Sequence, residues 1–250
     1  MVKIGGIMKQ VFVDKMTGAL TEVGITLSSH QIDQFFQYYE LLIEWNKVMN
    51  LTAITELEEV ISKHFIDSMT LIKAVGDIAE KKASVIDIGT GAGFPGIPLK
   101  IAFPNLKITL LDSLNKRINF LNEVIMQLGL EDISTIHGRA EDFGKNPVYR
   151  EQYDYCVSRA VANAATLSEY CLPFVKVGGC FIPYKSGKID EELENGKKAI
   201  KTLGGEIKDV VRFQLESAEA DRSLVVIHKT TKTSKKFPRK AGLPSREPIA

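Results

Sequence analysis

The sequence predicts an α/β protein with a doubly wound, mostly parallel sheet, an antiparallel hairpin at its end and a helical cap before it. Three observations support this prediction. Strand-like and helix-like segments alternate from Ser84 onward, which is typical of a parallel sheet covered by helices. The first eighty residues show only helical periodicity, and the last two strand-like runs have no helix between them.

Two helices are predicted in the N-terminal region. The first begins near Ser28, a suitable N-cap, because the apolar side chains that follow recur at helical spacing. These are Ile32, Phe35, Phe36, Tyr39, Leu42 and Ile43. The second runs from about Leu57 to Val75, after a joint with Asn and Thr turn residues. We therefore assign residues 1–80 to a helical cap.

Short apolar runs predict the strands of the sheet. Five of them are Ser84–Ile88, Lys107–Leu111, Ile133–His137, Tyr153–Ser158 and Gly179–Tyr184. Helical patterns alternate with them, near Ile97–Ile101, Asn115–Leu128, Glu141, Asn163–Tyr170 and Asp190–Leu203. Two β-rich runs follow, Glu206–Leu215 and Ser223–Lys229, and their short polar turn predicts antiparallel pairing. We expect a sheet domain over residues 81–230 and a loop-like basic tail over 231–250.

The composition is that of an ordinary globular protein, with 44% hydrophobic residues, 25% charged residues and a net charge of +1. These values exclude disordered, collagen-like and disulfide-scaffold classes. Three cysteines without a CxxC pair argue against disulfides or a zinc site and for a reducing cytosol. No apolar run approaches a membrane span, and the first residues are too polar for a secretory signal. We therefore expect a cytoplasmic protein without a metal.

The charge is distributed unevenly along the chain. From Lys229 onward there are seven basic residues and one acidic residue, so this part carries +6 and the remainder −5. A basic tail on a mildly acidic body suggests a polyanionic partner. A solvated tail without a function is equally compatible with the charge alone.

The most informative segment is the glycine-rich turn after the first predicted strand, DIGTGAGFPG at residues 87–96. Glycines let the backbone approach a ligand, and the following helix begins with free N–H groups. The turn satisfies GxGxxG, a weak dinucleotide fingerprint, but Asp87 makes the pattern DxGxGxG, as in S-adenosylmethionine (AdoMet) enzymes. A carboxylate there suits a methionine ammonium group and would repel a pyrophosphate. We therefore favour AdoMet over NAD, bound by Asp87, Gly89, Gly91 and Gly93.

Two further segments complete the predicted cofactor site. Asp112 ends the second strand, where a carboxylate can accept hydrogen bonds from ribose hydroxyls. The alternative for Asp112 is an N-cap of the helix at Asn115. The segment GRAED at residues 138–142 follows the third strand, where an adenine edge could be read. The alternative for this segment is a helix start enriched in acids for electrostatic reasons.

The residues after the fourth strand, Ser158-Arg159-Ala160-Val161, should face the transferred methyl group. The chain lacks the Asp/Asn-Pro-Pro-Tyr segment that exocyclic amine acceptors need, which argues against such an acceptor. It also lacks a Pro-Cys nucleophile, which argues against pyrimidine carbon 6. A purine ring nitrogen is already nucleophilic, needs no general base and attacks in line while the enzyme positions it. Arg159 could contact the cofactor, orient the acceptor or form a structural ion pair.

Seven stretches spread over nearly the whole chain carry a resemblance to a known family. They are residues 45–52 (WNKVMNLT), 63–68 (KHFIDS), 87–99 (DIGTGAGFPGIPL), 110–121 (LLDSLNKRINFL), 138–143 (GRAEDF), 158–162 (SRAVA) and 237–242 (FPRKAG). On these stretches the chain resembles the glucose-inhibited division protein B family, the RsmG 16S rRNA methyltransferases.

The resemblance implies a class I AdoMet-dependent methyltransferase fold and methylation of N7 of a guanosine in the 530 loop of 16S rRNA. It also implies that Gly89, Phe94, Ala140, Glu141 and Arg159 line the cofactor pocket. Arg159 and Arg139 are then the catalytic candidates, and both are candidates for meeting RNA. The expected partner is 16S rRNA in the small ribosomal subunit, and the expected state is a monomer.

Other basic side chains are the predicted RNA contacts. They are Lys185, Lys188, Lys235, Lys236, Arg239 and Lys240. The spacing of His64 and Asp67 places them on one helical face. They could form half of a metal site, but no other His or Cys cluster completes one, so a hydrogen-bonded pair is the favoured interpretation. Two other functions stay open on the sequence: an NAD-dependent oxidoreductase, and a non-catalytic RNA-binding assembly factor with the same fold.

Overall fold

Seven strands form one sheet in the computed structural model, which describes residues 2–249 and the side chains of residues 6–249. The strands are β1 Ser84–Ile88, β2 Lys107–Asp112, β3 Ile133–His137, β4 Tyr153–Ser158, β5 Val175–Ser186, β6 Gly205–Leu215 and β7 Ala220–Lys229. Their order is β3-β2-β1-β4-β5-β7-β6, and only β7 runs antiparallel to its neighbours. The predicted sheet with its antiparallel hairpin is confirmed.

The strand order places a cleft at one edge of the sheet. The chain moves outward from β1 to β3 and then returns to place β4 on the other side of β1. Asp87 of β1 pairs with Leu110 of β2 and with Val157 of β4, so the carboxyl ends of these strands lie together. Ligands of doubly wound sheets bind at such a reversal of strand order.

The fifth strand is longer than predicted. The sequence indicates Gly179–Tyr184, whereas β5 begins at Val175. Its pairing with β4 shifts register, because Tyr153 lies opposite Val175 while Tyr155 lies opposite Cys180. Glycines inside a strand often mark such a bulge, and they interrupt the apolar pattern from which strands are predicted.

Helices cover both faces of the sheet. In the N-terminal region they are α1 Val2–Leu20, α2 Ser29–Met49, α3 Leu57–Val60, α4 Asp67–Met69 and α5 Leu71–Ala74; along the rest of the chain they are α6 Gly96–Ala102, α7 Asn115–Gln127, α8 Ala140–Phe143, α9 Ala164–Cys171, α10 Asp190–Thr202 and α11 Leu243–Arg246. Ser28 caps α2 through a reciprocal pair of hydrogen bonds with Gln31, as its N-cap position predicts. Within residues 2–249, none of the helices combines the length and apolar character needed to cross a membrane.

Alternate strand residues pack into two apolar layers. Val85 joins the layer that contains Phe12, Phe35 and Phe65 of the cap, while Ile86 joins the layer on the opposite face. This follows from the twofold alternation of side chains along a strand. The cap is therefore packed on the sheet through a shared core, and a domain boundary at residue 80 stays a prediction.

The predicted helix over residues 57–75 contains a π-helical turn, Ile61–Ile66, between α3 and α4. In a π-helical turn the hydrogen bonds span five residues rather than four, and such turns frequently occur at functional sites. The backbone carbonyl groups of Lys63 and His64 in this turn accept hydrogen bonds from Arg159. The π-helical turn thus provides two carbonyl groups that bind Arg159, almost one hundred positions further along the chain.

Candidate active site

Two cavities open at the carboxyl edge of the sheet, one on each side of the loop that follows β4. The first cavity, of about 430 Å³, is bordered by residues that follow β1, β2 and β3. The second cavity, of about 620 Å³, is bordered by residues that follow β4 and β5. Ala160 and Val161 line both, so the two cavities meet at this short segment.

The glycine-rich turn brings the chain from β1 into α6. Gly89, Gly91 and Gly93 have φ values of 72°, 62° and 98°, in the region that favours glycine. Of these three, Gly89 lines the first cavity, while the other two shape the turn. Gly96 starts α6 directly on the sheet, because a Cβ atom there would collide with Leu110.

Asp87 lies beneath this turn and has no exposed surface. Its Oδ2 accepts hydrogen bonds from the Thr90 hydroxyl at 2.6 Å and from the Gly96 N–H at 2.9 Å. Its Oδ1 has no partner, and burial raises the pKa of this carboxyl from 3.8 to about 7, although both hydrogen bonds oppose the rise. Asp87 therefore holds the turn together, and a contact with the cofactor's ammonium group stays a prediction.

Phe94 packs between the cap and the sheet. It is 8% exposed, and its ring stacks on the imidazole of His64 at 4.4 Å between centroids. Burial lowers the pKa of His64 to about 3, so this imidazole is neutral, and its Nε2 lies 2.8 Å from the Thr52 hydroxyl. Phe94 is absent from the lining of the first cavity, so its predicted role in binding the cofactor remains a prediction.

Asp112 ties the end of β2 to the glycine-rich turn. Its carboxylate accepts from the N–H groups of Gly91, at 3.0 Å, and Leu114, at 2.9 Å, and it pairs with Arg117 at 3.2 Å. The bond to Leu114 shows that Asp112 does organise the start of α7, although Leu114 is the N-cap. Asp112 also lines the first cavity, where its ribose contact stays a prediction.

The segment after β3 forms another wall of the first cavity, which is lined by Arg139, Ala140 and Glu141. Glu141 is 5% exposed, and its Oε1 accepts a hydrogen bond from the N–H of Gly242 at 2.7 Å. The C-terminal segment thus reaches the back of the predicted adenine site. Sequence reasoning missed this contact, because no local pattern joins residues 101 positions apart.

Arg159 lies on the wall of the second cavity and is held there by the cap. It pairs with Asp67 at 3.1 Å and donates to the Lys63 carbonyl at 2.9 Å and to the Ser68 hydroxyl at 3.1 Å. Its guanidinium group lies 5.9 Å from the centre of the Phe94 ring. Arg159 thus forms the structural ion pair considered for it, and because it also faces the second cavity, its contact with the cofactor or the acceptor stays a prediction.

Asp67 has a second partner that the sequence did not suggest. Arg222, on β7, donates from Nε to Asp67 at 2.9 Å and lines the second cavity beside Tyr184. The pair predicted for His64 and Asp67 is replaced by a carboxylate shared between two arginines. Only the hairpin topology brings Arg222 to this edge, since no motif surrounds it. Among the described residues no group of three potential metal ligands occurs.

The predicted RNA contacts fall into two groups. Lys188, Lys235, Lys236 and Lys240 are exposed, whereas Lys185 lines the second cavity and pairs with Glu192 at 2.7 Å. The guanidinium group of Arg239 is bound to the fully buried carboxylate of Glu169, and an RNA contact for Arg239 stays a prediction. Lys229, which was counted in the basic tail, is fully buried as well. The tail is therefore docked on the body rather than loose.

The sheet order, the glycine-rich turn and the cleft define the class I methyltransferase fold. A crystal structure of a SAM-dependent methyltransferase from Aquifex aeolicus has this fold, with a TM-score of 0.50 and 17% identity over 68% of this chain and 92% of that one. Sequence comparison is far more specific. The family model described as "GidB: rRNA small subunit methyltransferase G" matches residues 31–225, most of the chain.

Among the relatives named ribosomal RNA small subunit methyltransferase G are two that match over most of both chains. The protein of Lachnoclostridium phytofermentans is 54% identical over 92% of this chain and 94% of its own length. The protein of Acetivibrio thermocellus is 56% identical over 90% of this chain and 92% of its own length. The chain belongs to the rRNA small subunit methyltransferase G family. The predicted resemblance and the choice of AdoMet as cofactor are confirmed, and an NAD-dependent oxidoreductase is not favoured.

Proposed function

We propose that this protein transfers a methyl group from AdoMet to N7 of a guanosine in the 530 loop of 16S rRNA. Family membership supports small-subunit rRNA as the substrate, and the family resemblance supplies the position. The observation that carries the proposal from the structure is the meeting of two cavities at Ala160 and Val161. A methyl group can pass only between two ligands that touch. The segment Ala160–Val161, here called the seam, is where such ligands would meet.

The first cavity fits AdoMet. The carboxylates of Asp112 and Glu141 border it together with two arginines, and the buried Oδ1 of Asp87 beneath the turn lacks a partner. The site thus offers acceptors for an ammonium group and ribose hydroxyls as well as donors for a carboxylate. A Cβ atom at Gly89 would come within 3.3 Å of Ala160, so glycine keeps the space between the turn and the seam open. Gly89, Asp112, Ala140 and Glu141 would hold the cofactor.

The second cavity fits a guanine that has been flipped out of its stack. Arg159, Lys185 and Arg222 give it donors for a guanine O6 or a phosphate, and Tyr184 contributes an aromatic wall. Lys188 lies exposed just beyond β5, where the RNA backbone would pass. Three basic side chains against two carboxylates give the lining a net positive charge, which supports a nucleic-acid acceptor rather than a neutral small molecule.

The chemistry requires positioning rather than a general base. AdoMet, when bound, would supply an electrophilic methyl carbon on a sulfonium sulfur. The lone pair of N7 would form the new N–C bond in line as the C–S bond breaks, with the neutral thioether as leaving group, the positive charge on the methylated guanine and no covalent enzyme intermediate. The two carboxylates of the second cavity, Asp67 and Glu192, are both ion-paired, and His64 is neutral and stacked. The two carboxylates hold the arginine and lysine donors in place, and these donors would orient the acceptor and partly desolvate it.

Mass mapping of 16S rRNA, with and without this protein, tests the proposal. We expect one additional methyl group, on a guanosine of the 530 loop, only when the protein and AdoMet are both present. A methyl group on another nucleotide would contradict the proposed target. A lack of any AdoMet-dependent incorporation would contradict the activity and favour an assembly factor with the same fold.

A further inference from the structure

The C-terminal segment Phe237–Gly242, here called the C-terminal strap, packs behind two helices that line the first cavity. Phe237 is buried in the same apolar cluster as Ala140 of α8 and Leu167 of α9. Both Ala140 and Leu167 line the first cavity. The strap therefore lies one layer behind the proposed cofactor, on the side of the adenine site.

The first polar contact of the strap is with Glu141. The Gly242 N–H donates to Oε1 of this carboxylate, which leaves Oε2 as the oxygen that can accept from a ligand. A charged acceptor makes such a bond stronger than an ordinary amide hydrogen bond. The strap thus fixes the rotamer of a side chain that faces the first cavity.

The second contact is a clamp on α9. Arg239 donates to Glu169 from Nε at 3.0 Å, from Nη2 at 2.7 Å and from its backbone N–H at 2.7 Å. Glu169 has no exposed surface, and its neighbour Tyr170 lines the first cavity. The two-pronged geometry fixes orientation as well as distance, so the clamp holds the α9 wall against the strap.

A third set of contacts joins the strap to the end of α8. Arg150 donates to the carbonyl of Phe237 at 2.9 Å and to the carbonyl of Gly144, directly after α8, at 2.7 Å. The carbonyl of Pro244, just beyond the strap, accepts from the Thr166 hydroxyl of α9 at 3.0 Å. The strap is therefore bonded to both helices that form this side of the cavity.

We propose that the C-terminal strap is a positioning element of the cofactor site, and that Arg239 and Gly242 set AdoMet affinity through Glu169 and Glu141. The inference rests on the proposed placement of AdoMet in the first cavity. In this proposal Arg239 supports the cofactor site, whereas the charge of the tail alone predicts that it contacts RNA phosphates. The exposed Lys240 next to it supplies a matched control.

Calorimetric binding of AdoMet to Arg239→Ala and Lys240→Ala, with binding of a 530-loop RNA in parallel, tests the inference. We expect the AdoMet dissociation constant of Arg239→Ala to rise about tenfold, as for loss of a charge-assisted hydrogen bond. The RNA affinity of Arg239→Ala should stay within about twofold of wild type, and the AdoMet affinity of Lys240→Ala should be unchanged. A greater loss of RNA affinity than of AdoMet affinity in Arg239→Ala would overturn the inference.

Removal of Arg239 leaves a buried carboxylate unpaired and can unfold the protein, so a second variant is needed. Arg239→Ala with Glu169→Leu removes that charge and should restore stability, whereas AdoMet binding should stay weak because the clamp is still missing. Wild-type AdoMet affinity in this double variant would show that the strap contributes stability alone. Ala140→Leu narrows the first cavity directly. If it leaves AdoMet binding unchanged, the proposed placement of the cofactor is wrong, which is a separate failure.

Discussion

At the scale of single residues, the carboxylate of Asp67 organises the second cavity, because Arg159 and Arg222 bind its two oxygens. A 3% exposed aspartate between two partly exposed arginines keeps both guanidinium groups pointed at one place. Each arginine retains donors that can face a ligand, since a guanidinium group carries five N–H groups. The arrangement would hold the donors in position before the proposed acceptor binds.

Arg159→Ala should therefore lower the methyl-transfer rate by about a hundredfold, the scale of a lost positioning contact. The fold should persist, because Asp67 keeps Arg222 as a partner. Transfer of tritium from labelled AdoMet to small-subunit rRNA measures the rate. Arg212→Ala, which removes an exposed arginine of β6, is the matched control and should keep wild-type activity. Equal activity in the two variants would refute the role of Arg159.

The buried Asp87 makes stability depend on pH. Its pKa in the folded protein is raised to about 7, so folding favours the protonated form. Wild-type stability should consequently fall, relative to Asp87→Asn, as the pH rises from about 4 to about 7, by at most about 1.4 kcal/mol per pH unit. Urea unfolding of both proteins across this range gives the difference, and a constant difference would contradict the raised pKa.

At the scale of elements, the π-helical turn shows what the sequence could and could not predict. Apolar spacing over residues 57–75 indicates a helix correctly, because local periodicity reports which face is buried. The extra residue in the turn is compensated by Arg159, whose bonds to the carbonyl groups of Lys63 and His64 lie outside any local window. The strand bulge in β5 escaped prediction for a related reason, since its register depends on the neighbouring strand.

Helix α6 must lie close to the sheet, and Gly96 makes that possible. Gly96→Ala should reduce the free energy of unfolding by about 1–3 kcal/mol, the usual cost of overpacking, because its methyl group would collide with Leu110. The control is Gly18→Ala in α1, where a Cβ atom meets nothing within 4 Å. That change should be neutral or stabilising by up to about 1 kcal/mol, since alanine favours helices. Urea denaturation of both variants decides the outcome, and similar changes in the two would contradict the close packing.

At the scale of the whole molecule, the sequence predicted the sheet and its strand directions well, because each strand carries its own apolar pattern. It predicted less about the tail, where charge counts alone suggested a solvated or RNA-binding arm. Lys229 is buried, with its ammonium group donating to the Leu172 carbonyl at 2.6 Å, and Arg239 is clamped. Whether a basic side chain is free depends on tertiary partners that a one-dimensional charge pattern does not contain.

The exposed lysines of the tail remain predicted contacts with RNA. Replacing Lys235, Lys236 and Lys240 together with alanine should weaken rRNA binding and reduce the slope of log affinity against log salt by about 2. AdoMet binding should not change. The control replaces Lys198, Lys201 and Lys208, which are also exposed and lie on α10 and β6. An equal effect of the two triple variants on the salt slope would indicate that the tail lysines make no specific contact.

The position of Val161 has a thermodynamic consequence. This apolar side chain is fully exposed at the seam of the two cavities. Two ligands that meet there would bury this side chain and each other's facing apolar surfaces more fully than the two do singly, which is favourable in proportion to the extra area covered. Donor and acceptor should then bind with positive heterotropic linkage, so that either one tightens the other by the same factor. The ternary complex would be favoured over either binary complex before any chemistry takes place.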